Sequence, residues 1–65
     1  MFTKFNLQNG STRVVGILHI VDVRQAEEGE SAIVRVNDGA GYDELHLADR
    51  YEDVAEKLLR FFVRS

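Results

Sequence analysis

Apolar and polar positions alternate with a period of two along most of the chain, then switch to a helical period near its end. Over residues 2–7, Thr3, Phe5 and Leu7 fall on one side of an extended segment, and Phe2, Lys4 and Asn6 on the other. Such alternation places successive side chains on opposite faces of a strand. Asn9-Gly10 follows at once; the pair favours a two-residue hairpin turn because both residues tolerate positive φ. Arg13-Val14-Val15 is the returning strand. Gly16 predicts a break or bend before residues 17–25. In that β-branched run Ile17, His19, Val21 and Val23 share one face, and Leu18, Ile20, Asp22 and Arg24 the other. A polar turn containing Gly29 leads to Ala32, Val34 and Val36, which alternate against Ile33 and Arg35. Asp38-Gly39-Ala40-Gly41 is a second turn signal. From Tyr42 to Leu47, Leu45 and Leu47 oppose Glu44 and His46.

The last segment reads as a helix. Asp49, with Glu52 three residues on, fits an N-cap and its capping-box partner. Glu52 and Asp53 lie in the first turn and Arg60 and Arg64 in the last, complementing the helix dipole. Tyr51, Val54, Ala55, Leu58, Phe61 and Phe62 recur at helical spacing and form one apolar face. Arg50, Asp53, Glu56, Lys57 and Arg60 form the polar one. The predicted fold is α+β: a small antiparallel sheet of about four strands with one carboxy-terminal amphipathic helix packed on one face.

Length sharpens this reading. A 65-residue chain is one domain, residues 1–65, and a domain of this size buries only about 60% of its unfolded surface. Disulfides, a structural metal or oligomerisation commonly supplement so small a core. The chain has no cysteine and only two histidines, His19 and His46, with neither the H-x₃₋₅-H nor the H-E-x-x-H spacing of a zinc site. Oligomerisation, as a homo-oligomer such as a dimer, is the remaining supplement. Leu59 and Val63 widen the apolar stripe of the helix beyond what one sheet face covers, and Leu18 and Ile20 lie on the sheet face that a single helix leaves open. Leu18, Ile20, Leu59, Phe62 and Val63 are therefore the expected partner-binding residues.

The net charge of −3 is uneven. Residues 1–25 carry +2, residues 26–56 carry −8, and Lys57, Arg60 and Arg64 add +3. With a pI near 5.2, a broad phosphate-binding surface is disfavoured and nucleic acid is not an expected partner. Lys4, Arg13 and Arg24 are expected to pair with the acidic half or simply to keep a sheet face wet. The acidic block also permits the opposite role, an inhibitor that imitates nucleic acid and occupies a nucleic-acid-acting protein. No run approaches the roughly 20 apolar residues of a membrane helix. The first residues also lack the apolar core of a secretory signal, so the expectation is a cytoplasmic protein with no membrane partner.

Catalytic chemistry finds little support in these residues. No serine stands in a G-x-S-x-G elbow. His19 and His46 sit in alternating strands, where an imidazole is commonly a half-buried or exposed strand residue. The Asn37–Gly41 stretch lacks EF-hand ligand spacing, and its Gly-x-Gly leads into a strand rather than a helix, unlike a dinucleotide fingerprint. No catalytic residue, cofactor or metal is expected, and the chain reads as a non-enzyme.

From Phe5 to about Leu59 the layout resembles the small FlbD-type proteins associated with bacterial flagella and motility. The matching features are Phe5-x-Leu7-x-Asn9-Gly10, Ile17-Leu18-x-Ile20-x-x-Val23, Ile33-x-Arg35-Val36-x-Asp38-Gly39 with Tyr42 just after, and Tyr51-Glu52-Asp53-Val54-Ala55-Glu56-Lys57-Leu58. The resemblance implies a bacterial protein with a role in regulating or supporting motility, with no catalytic residues to carry over.

Overall fold

A computed structural model describes residues 1–62, and of Phe62 the backbone only. The alternating stretches form β1 (Phe2–Asn6), β2 (Thr12–Gly16), β3 (Ile20–Gln25), β4 (Ser31–Asn37) and β5 (Tyr42–Arg50), followed by α1 (Tyr51–Phe62). A single 3₁₀ turn, Ile17–His19, links β2 to β3. The α+β class is as expected, but the sheet differs from one of about four strands. Five strands form two antiparallel sheets, β1–β2 and β3–β4–β5. The 3₁₀ turn after Gly16 interrupts the extended chain and carries it from the first sheet to the second.

One contact region joins the sheets. Leu7 bridges to Leu47, and the Gln8 amide donates to the His46 carbonyl at 3.0 Å. The register of β5 on β4 supplies the reason. Between the pairs Ile33–His46 and Ser31–Arg50, β5 advances four residues while β4 advances two. The surplus residues are free to lean away from β4, and Leu47 among them turns to β1.

The period-two reading fixes the core. Phe5, Ala32, Val34, Val36, Leu45 and Leu47 are buried, joined by Val15 and Ile17 and, from the helix, by Val54 and Leu58. Helix α1 packs against β3, β4 and β5. Lys57 ties it to the first sheet: its ammonium donates to the Lys4 carbonyl at 3.1 Å and stands 5.7 Å from the Phe5 ring centre.

Two local expectations are corrected. The first hairpin does not use a two-residue turn with positive φ at both Asn9 and Gly10. Only Gly10 has positive φ, at +90°; its amide donates to the Leu7 carbonyl at 3.0 Å, and the Leu7 amide donates to the Ser11 carbonyl at 2.9 Å. This is a three-residue loop closed by a glycine bulge, and the Asn9 side chain accepts from the Ser11 amide at 3.0 Å. Asp49 does not stand free as a helix cap; it lies within β5, and the helix begins at Tyr51. The Tyr51 amide donates to the Glu30 carbonyl at 2.6 Å, so a distant backbone group satisfies a donor at the helix start.

Candidate protein-binding face

The phase of β3 decides which of its side chains reach solvent. Ile20 pairs with Val36 and Asp22 with Arg35, so one step on β4 matches two on β3, and Val21 is the extra residue of a bulge. The bulge resets the alternation. Ile20 and Val23 turn toward the core and pack against it, while Val21 is 48% exposed. This corrects the expectation that Leu18 and Ile20 share the open sheet face: Leu18 lies in the 3₁₀ turn, 93% exposed, and Ile20 is half-buried on the helix side.

Between β3 and α1 the surface folds into an apolar groove of about 360 Å³, lined by Ile20 to Val23 and by Tyr51, Ala55, Leu58 and Leu59. Leu58 forms the floor, and Leu59, one residue on, is 57% exposed. The structure thus brings Ile20 and Leu59 together and leaves Leu18 outside the groove. Val63 and the side chain of Phe62 lie outside the described residues. Val21 and Ala55 line the groove but were not among the expected contact residues. The signal for Val21 is the near-continuous apolar run Ile17-Leu18-His19-Ile20-Val21, which breaks strict alternation at the point where the bulge forms.

The outer face of the same sheet is charged and internally paired. Asp22, Arg35 and Glu44 stand side by side across β3, β4 and β5. The Arg24 guanidinium donates to Glu44 at 2.8 Å, with Arg35 at 3.6 Å from the same carboxylate. The hydrogen bond from Arg24 holds the Glu44 carboxyl below its ordinary pKa, and the same bond raises that of Arg24. Arg13 reaches Asp43 at 3.1 Å. Arg13 and Arg24 therefore take the first of the two expected roles and pair with the acidic half, whereas Lys4 makes no ion pair among the described residues.

A second groove, of about 300 Å³, runs between β2 and the β4–β5 turn and includes Arg13, His19 and Asp38. The turn carboxylates and amides are already engaged there: Asn37 accepts from the Gly39 amide, and Asp38 from those of Ala40 and Gly41, each at 2.9 Å. Among the described residues no group of three or more His, Cys, Asp or Glu side chains is placed to hold a metal. No helix among them is long and apolar enough to cross a membrane.

No protein-family model, curated protein or solved structure matches the chain. Fold and groove define its class by themselves: a small α+β chain with an apolar cleft between an edge strand and its only described helix.

Proposed function

We propose that the chain is a non-enzymatic interaction module that works through protein–protein contact at the β3–α1 groove. The carrying observation is the exposed apolar surface that the fold leaves there: Val21 and Leu59 open to solvent above Ile20 and Leu58. Apolar surface of this kind gains about 25 cal/mol for each Å² removed from water, and the small core of a 65-residue chain leaves a use for that gain. The resemblance to FlbD-type proteins supports a bacterial setting and a partner in the regulation or support of motility.

The test is capture from native-host lysate with the tagged 65-residue chain, at low and high salt, beside the Leu59→Glu variant. A motility component that survives high salt and is lost with Leu59→Glu supports the reading, because apolar contacts persist or strengthen with salt. Equal capture by both proteins contradicts it.

One observation favours a second reading. Arg50 stands between Glu30, at 3.1 Å, and Glu52, at 3.9 Å, so the β3–β4 turn and the helix start combine carboxylates in excess of their cation. An acidic inhibitor that imitates nucleic acid would use such an end. Its capture of a nucleic-acid-acting protein would fall steeply as ionic strength rises.

A further inference from the structure

Strand β3 hydrogen-bonds to β4 on one side and, among the described residues, to no strand on the other. Its free edge forms one wall of the apolar groove. An unpaired edge presents backbone donors and acceptors that another strand can use, and an adjoining apolar cleft is what strand addition fills with side chains. Building on the protein-binding reading of this groove, we propose that its occupant is a second copy of the chain, whose β3 adds antiparallel across a two-fold axis through Val23.

The charges on β3 choose both the occupant and the register. In a two-fold antiparallel pair, residues of the same sheet face stand opposite one another only when the axis passes through a residue position. An axis at Asp22 or at Arg24 sets like charges against each other. An axis at Val21 or Gln25 sets a charge against Ile20 or Ala26. An axis at Val23 sets Asp22 of each copy opposite Arg24 of the other, so each Arg24, bonded to Glu44 within its own chain, also faces a carboxylate across the junction and no like charges meet. The row already present within one chain then continues across the junction. Glu44, Arg35 and Asp22 are neighbours on β5, β4 and β3, and Arg24 of the second copy is next, so the signs alternate along four strands. On the helix side the same register brings the two Val23 side chains together at the mouth of the groove, beside the exposed Val21 and Leu59.

Charged side chains and a bulge on an edge strand commonly oppose chance pairing; here the alternation of sign penalises the neighbouring registers and favours one. Exposed ion pairs add little affinity, so the charges set the register while apolar burial supplies the binding.

The chain has no cysteine, which makes disulfide trapping of it unambiguous. Val23→Cys is expected to oxidise to a self-linked dimer. Asp22→Cys and Arg24→Cys, at exposed positions, are expected to cross-link when mixed and much less when either is alone, because a disulfide needs Cα atoms about 4.4–6.8 Å apart. If Val23→Cys lost its fold by circular dichroism, the mixed pair would still decide the register. Sedimentation equilibrium of the unmodified chain should show a dimer, and Leu59→Glu should raise its Kd by about tenfold or more. A monomer at all concentrations, or preferential self-linking of Asp22→Cys, overturns the proposal. If the chain is monomeric yet captures a motility component in a Leu59-dependent way, the second copy is excluded while the protein-binding reading stands. If both fail, the groove is not a protein site.

Discussion

Gly10 closes the first hairpin with φ at +90°, a region that costs an L-residue about 1–2 kcal/mol. Space is open around it, since an added Cβ meets no atom within 4 Å, so the cost of Gly10→Ala is backbone strain alone. Chemical denaturation should show a loss of about 1 kcal/mol after the smaller entropy gain of replacing glycine. Glu44 gives a residue-scale prediction about pH. Its carboxyl is held below the ordinary value of 4.5 by the Arg24 hydrogen bond. The folded state therefore binds the Glu44 proton less readily than the unfolded chain does. The stabilising contribution is fully present above 4.5 and is lost as pH falls through the lowered folded value. Glu44→Gln should lower Tm near neutrality and flatten the fall of Tm with acid, leaving the two proteins closer at about pH 2 than at about pH 7. A constant difference across that range would remove the ion pair from the stability of the fold.

At the scale of elements, α1 separates two leucines that are adjacent in sequence. Leu58 is buried in the core and Leu59 is largely exposed. Leu58→Ala should cost about 2–5 kcal/mol, and Leu59→Ala no more than about 0.5 kcal/mol in the monomer; thermal melts at low concentration measure both. The helix was legible because its period differs from that of the strands, and β1, β4 and β5 were legible because their buried residues alternate without interruption. The phase of β3 was not. A bulge costs no residue of unusual type, and Val21 becomes the extra residue only when Ile20 must face Val36 while Asp22 faces Arg35. The helix start was misplaced for a similar reason: the Asp49–Glu52 spacing is a local signal, whereas the Tyr51 amide is satisfied by Glu30, twenty-one positions earlier in the chain. The groove follows the bulge, so the part of the site that depends on Leu59 could be read from helical spacing and the part that depends on Val21 could not.

Across the whole molecule, β5 bulges between His46 and Arg50, where Leu47 bridges to Leu7 just after β1, and α1 packs on all three strands of the second sheet. Part of the exposed apolar surface, Val21 and Leu59, lies where the β3 edge meets the helix and folds into a groove there, while Phe2, Val14, Leu18 and Tyr42 are exposed elsewhere. Opposite charges on the outer face are mostly paired within the chain, so association through the groove should change little between low and high salt, in contrast to a contact carried by the acidic end. The most direct test is a dilution series of ¹H–¹⁵N spectra of the full chain. Concentration-dependent shifts should map to Val21–Gln25 and to the exposed side of α1 at Ala55 and Leu59, with β2 unmoved, and they should vanish in Leu59→Glu. Shifts confined to the β2 edge, or spectra that do not change with concentration, would contradict self-association through β3.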